Sequence, residues 1–244
     1  MKKMAFVNLN WKAVMAVAFV VIFFVIFMRF NKGSRRNRFE DIAFGSEYFD
    51  IHKDDPLNQT LYKWKIKQLT IAASAQDEKN NPEFRAAIDH TMDQLKSLNE
   101  ELPINNQFVF IRASLEHTFL KDPVNEDGMI GIHYKKPPVL SDENYGLFIV
   151  KTNDKGEITS ADIYIDPETP KDALKHICLE ETIQSFGLME DTYNDKSSIF
   201  YQGWTTGPYL NADDRRIFLE LYSSPSIRPG MTRREYLMMK KNKK

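Results

Sequence analysis

The chain has 244 residues, a formal net charge of −1 and a single cysteine, Cys178. That length suits one large domain or two small ones. The near-zero charge excludes a bulk electrostatic pull toward nucleic acid, and the lone cysteine excludes a disulfide framework within the chain.

Residues 1–12 form a short segment carrying Lys2, Lys3 and Lys12. Ala13 to Met28, AVMAVAFVVIFFVIFM, is uninterrupted and uncharged. As a helix it spans about 24 Å against a hydrocarbon core of roughly 30 Å, and Lys12 and Arg29 can snorkel at its ends. Trp11 and Phe30 suit the membrane interface. A signal peptide is the rival reading, but a basic run, MRFNKGSRRNR, follows instead of a small-x-small cleavage site. A transmembrane anchor is therefore expected over 13–30, followed by a basic linker over 31–38. Both flanks are basic, and the positive-inside rule taken alone leans toward a cytoplasmic C-terminal part.

From Phe39 the pattern turns globular, so one domain is expected over 39–244. Leu61 to Ala73, LYKWKIKQLTIAA, alternates Tyr62, Trp64 and Ile66 with Lys63, Lys65 and Lys67, which predicts a strand with one wet face. Asn81 and Pro82 open a helix with an apolar stripe of Phe84, Ala87, Ile88, Met92, Leu95 and Leu98. Gln107 to Ala113 reads as a strand, and Leu120 to Ser141, rich in Pro, Asp and Lys, as a loop. YGLFIVKT and EITSADIYID are two strands joined by a turn at NDKG. Thr169 and Pro170 then predict the start of a helix that ends at Gly187. Asn211 caps a further helix with acids in its first turn, and the final KKNKK reads as a solvated tail. The expected class is α+β, a mixed sheet packed on helices behind one transmembrane helix.

Within this order, EETIQSFGLMED has the spacing of the metzincin zinc-protease motif H-E-x-x-H-x-x-G-x-x-H-D. SSIFY stands where those enzymes carry their Met-turn, with Phe200 at the methionine position. LNADDRRIFLELY, with Leu210, Asp214, Leu221 and Tyr222, matches a third metzincin-type pattern. The chain thus resembles a metzincin-like scaffold. A closer resemblance is to DUF2927, a family of uncharacterised bacterial envelope and lipoprotein-like proteins. It is carried by text around Trp64, the run from Glu180 to Asp191, SIF, and Leu221, Tyr222, Pro229, Gly230 and Met231. The C-terminal half holds most of that signal.

The resemblance places Glu180, Gln184 and Glu190 at the three zinc-histidine positions, Glu181 at the general-base position and Asp191 at the trailing aspartate. Two carboxylates and an amide make a hard oxygen set, ill suited to zinc, so no metal and no cofactor are expected. No nucleophile motif G-x-S-x-G, P-loop or GxGxxG fingerprint replaces the lost chemistry. His176 precedes Glu180 by four residues and shares its helix face, which favours a hydrogen bond over a metal pair. The expected product is a pseudoenzyme. Glu181 is its catalytic residue only if activity survives; otherwise Glu180 and Glu181 are solvated or hydrogen-bonded, with Glu181 placed to bond backbone donors of the SSIF loop. Phe200, Tyr201, Trp204 and Tyr209, on an aromatic loop beside the motif, either grip a peptide or glycan or pack on one another. The expected partners are the membrane, through 13–30, and a peptide or envelope protein, with no nucleic acid. The family resemblance implies an extracytoplasmic domain at the envelope.

Overall fold

The computed structural model describes residues 38–44, 59–116, 123–124, 126–136, 145–192, 195–201, 203 and 205–242. The chain divides into the units Met1–Arg38 and Phe39–Lys244. The expected span at 13–30 and the linker at 31–37 lie outside the described residues. Among the described residues no helix is long and apolar enough to cross a membrane.

The chain first forms helix α1 (Arg38–Ala43) and the short strand β1 (Lys63–Trp64). Strand β2 (Gln68–Ser74) follows, then helices α2 (Ala75–Asn80) and α3 (Pro82–Glu100). Strands β3 (Val109–Leu115), β4 (Met129–Tyr134), β5 (Gly146–Thr152) and β6 (Glu157–Ile165) come next. Helices α4 (Leu174–Gln184), α5 (Ala212–Ser223) and α6 (Arg233–Asn242) complete the domain.

The six strands form one mixed sheet in the order β1-β6-β4-β2-β3, with β5 also paired to β6. Among the described strands the β5–β6 pair, closed by the expected turn at NDKG, is antiparallel and the other pairings are parallel. Parallel neighbours need crossover connections, and α2 and α3 supply the one between β2 and β3. The domain is thus mixed α/β, with its sheet packed on helices as expected.

Three local expectations fail. The stretch Leu61–Ala73 is not one alternating strand, because β1 and β2 break at Lys65–Lys67. Lys63 is buried rather than wet: its ammonium donates to Leu221 O at 2.7 Å and Ile227 O at 3.2 Å, near the C-terminal end of α5. Second, the expected loop Leu120–Ser141 contains β4, which lies between β6 and β2. Buried on both faces, it shows no alternation to betray it. Third, Thr169 does not cap the motif helix. Its hydroxyl donates to Tyr145 O at 3.4 Å, residues 170–173 form a turn, and α4 begins at Leu174.

The apolar stripe of α3 is buried in full and joins the main core, together with Leu69, Ile71, Ile130, Ile132, Ile163 and Ile165 from the sheet. On the other side of the sheet a smaller cluster gathers Ala72 and Val124 with Ala113, Leu115 and Met129. Burying a side chain of this size contributes about 1.5–3 kcal/mol.

Candidate functional site

The motif helix α4 is buried almost all round: His176, Glu180, Glu181 and Gln184 are buried along with Leu174, Cys178, Leu179 and Ile183. Glu180 and Glu181 are therefore not solvated, which leaves the hydrogen-bonded form of their expected structural role. Its position is fixed from its C-terminal end. Trp64 Nε1 donates to Ser185 O at 3.0 Å, and Tyr222 Oη donates to Phe186 O at 2.8 Å while accepting from Trp64 N at 3.3 Å. Two carbonyls that the helix end leaves over are thereby satisfied by aromatic donors. Gly187 then turns the chain with φ +97°, in the left-handed region. A Cβ there would fall 2.0 Å from Tyr62 O.

The residues at the three ligand positions each have other surroundings. Gln184 Nε2 donates to Asp191 Oδ1 at 2.7 Å, so the middle position and the trailing aspartate of the motif hold each other. Glu180 Oε2 lies 3.3 Å from His176 Nε2, the contact expected for residues four apart on one helix. The backbone N–H of Glu190 donates to Ile42 O at 3.1 Å, tying the segment to α1. The donor set, two carboxylates and an amide oxygen, is hard and fits zinc poorly. Among the described residues no three His, Cys, Asp or Glu side chains are grouped to hold a metal ion.

His176 Nδ1 also lies 2.7 Å from Gly207 O. A carbonyl only accepts, so Nδ1 carries the proton of that bond. Nε2 then faces the Glu180 carboxylate. Burial pushes the His176 pKa below its ordinary value, opposed by the Gly207 carbonyl and the charges of Asp214 and Asp191.

Glu181 lies on the sheet side of α4. A Cβ on Gly146, the first residue of β5, would sit 2.4 Å from Glu181 Oε1, so glycine there makes room for the carboxylate. The expected bonds from Glu181 to the SSIF loop are replaced by others. Ile199 N donates to Asp214 Oδ2 at 2.9 Å, Phe200 N to Ser198 Oγ at 3.1 Å and Tyr201 N to Ser198 O at 3.2 Å. The acid that binds this loop is Asp214, which also accepts from Ser198 Oγ at 2.6 Å and Asn211 N at 3.1 Å. Asn211 caps α5 as the sequence predicts, completing a capping box with Asp214.

The aromatic loop divides. Phe200 is fully buried in the core, where it cannot meet a ligand. Tyr201 is half-buried, and its backbone segment bridges to Thr192. Trp204 lies outside the described residues. Tyr209 is 65% exposed and stands edge-on to His90, with ring centroids 5.3 Å apart. His90 Nε2 donates to Pro208 O at 2.5 Å, so imidazoles from α3 and α4 hold consecutive carbonyls of this loop. Histidines 86 residues apart carry no spacing signal, so this clasp is not legible in the sequence.

A second buried polar pair lies elsewhere on the sheet. His133 Nε2 meets Asp162 Oδ1 at 2.9 Å across β4 and β6, and Asp162 accepts from Val124 N at 2.9 Å. Cys178 is fully buried and burial pushes its thiol up to about 11, so it is not an activated nucleophile.

No curated protein matches the chain. The family signature covers residues 33–239, most of the chain, and takes in Trp64, α4, the SSIF turn and Tyr222. On that match, the chain belongs to the DUF2927 family of proteins of unknown function.

Proposed function

We propose that the chain is a membrane-anchored binding module of the bacterial envelope, built on a metzincin-like scaffold whose catalytic helix serves structure. The observation that carries this reading is the bond from Gln184 to Asp191, which ties the side chain at the central ligand position to the motif's own trailing aspartate. The contact of Glu180 with His176 supports it in the same way. The scaffold reading draws support from the sheet and from α4, Gly187, the SSIF turn and α5 following one another in the order of the resemblance. The anchor is read from the run at 13–28. The candidate ligand is an extended peptide of another envelope protein, held beside the loop that displays Tyr201 and Tyr209. Exposed tyrosine offers a large apolar face with a polar tip, a common contact for peptides.

The second reading is a hydrolase with Glu181 as general base. It is favoured by the placing of that carboxylate against Gly146 at the start of β5. One set of measurements on the full-length protein in detergent separates the two. The binding reading expects no stoichiometric metal, casein cleavage indistinguishable between wild type and Glu181→Gln, and at least a tenfold loss of binding to arrayed peptides in Tyr209→Ala. Metal bound at one equivalent and lost in Glu180→Ala or Glu190→Ala would overturn it in favour of the hydrolase.

A further inference from the structure

The sequence of α6, RREYLMMKKN, is basic at both ends and apolar between. One side of it is built into the domain. Tyr236 is fully buried, with its ring centroid 5.2 Å from Phe39 and 5.3 Å from Phe44, and its hydroxyl donates to Glu220 at 2.7 Å. The cations nearest this seam are matched by acids of the same domain. Arg233 lies 3.5 Å from Asp41 of α1, and Lys240 lies 2.8 Å from Glu220 of α5. Glu235 is likewise engaged by Arg228 at 2.7 Å.

The outward side faces solvent. Arg234, Met238 and Lys241 are exposed and recur at i, i+4 and i+7, so they form one stripe. Met238 is 58% exposed, one of the few large apolar side chains so placed among the described residues. We propose that this stripe rests on anionic phospholipid headgroups of the membrane that carries the chain. A thioether at the headgroup boundary, flanked by long cations whose stems follow it inward while their charges meet phosphates, is the arrangement of an interfacial helix. A nucleic-acid surface would use the cations and leave Met238 without a role.

Chain connectivity favours the same partner, and here the inference rests on the anchor reading above. The seam of α6 is with α1, and α1 begins at Arg38, the last residue of the basic stretch 31–38. Eight residues reach at most about 29 Å when fully extended. An anchor at 13–30 therefore tethers α1, and α6 packed on it, within reach of the bilayer surface.

The test uses the full chain with Asn242→Cys, beside the stripe, labelled with an environment-sensitive fluorophore; the native Cys178 is buried. It is reconstituted into vesicles of phosphatidylcholine alone and of equimolar phosphatidylcholine and phosphatidylglycerol. The expected result is a blue-shifted emission in the anionic vesicles only, reversed by salt and absent after Arg234→Glu with Lys241→Glu. Equal emission in both vesicles, a shift that survives the charge reversal, or the same shift on adding DNA in detergent would each overturn the proposal. Flotation with neutral vesicles reads the anchor separately. If flotation fails, the anchor reading falls, and adding the same vesicles to the chain still decides for or against the stripe.

Discussion

Gly187 holds a backbone conformation that an L side chain rarely adopts, at a point where Tyr62 O leaves no room for a methyl group. Gly187→Ala should therefore lower stability by about 2–4 kcal/mol, read as a fall in urea midpoint at unchanged slope. At Lys63 burial, aided by the charges of Lys65 and Lys67, lowers the ammonium pKa from 10.5 to about 8. Between about 8 and 10.5 the unfolded chain holds a proton that the folded chain has released, so this group makes stability rise with pH through that window. Urea midpoints of wild type and Lys63→Met, compared from pH 8 to 10, should show the rise in the wild type alone. The sequence suggested the opposite surroundings for Lys63, since alternation with Tyr62 and Trp64 placed it in water. Alternation reports a strand's two faces but says nothing of carbonyls that a helix end leaves in need of a donor.

At the scale of elements, Asp214 joins α5 to the SSIF turn through hydrogen bonds to Ser198, Ile199 and Asn211. Hydrogen bonds to a charged group contribute about 1.5–3 kcal/mol each, so Asp214→Ala should cost about 3 kcal/mol or more and raise amide exchange at Ile199. The capping of α5 was legible because Asn211 and Asp214 lie close in sequence, and the hairpin because its turn is local. The stripe of α3 was legible from its period. Strand β4 was not: its Pro-rich flanks resemble a loop, and Gly131 and His133 interrupt its apolar run although both are buried. The site was legible in part. The spacing from Glu180 to Asp191 identified the helix and the Glu180–His176 contact, whereas the Gln184–Asp191 bond and the clasp by His90 depend on tertiary packing.

For the whole molecule, the N-terminal boundary of the folded unit can be located by its core. Phe39, Ile42 and Phe44 are buried, and each contributes about 1.5–3 kcal/mol. A chain beginning at Arg38 should keep the melting temperature of the full-length protein in detergent, measured by circular dichroism. One beginning at Gln59 should melt well below it or fail to fold.

The seam that α6 helps to form has a counterpart beside β1. Leu61 N donates to Met231 O and Gly230 N to Leu61 O, both at 2.9 Å, while Thr60 bridges to Thr232. Residues met early in the domain are thus zipped to residues met near its end. During synthesis the chain must wait: about 170 residues have to emerge after Leu61 before it finds its partner Met231, a late, long-range closure of the kind that slows folding. Until then Thr60 and Leu61 lack these partners, so a chain interrupted before Gly230 should be cleaved by protease faster than the full-length protein.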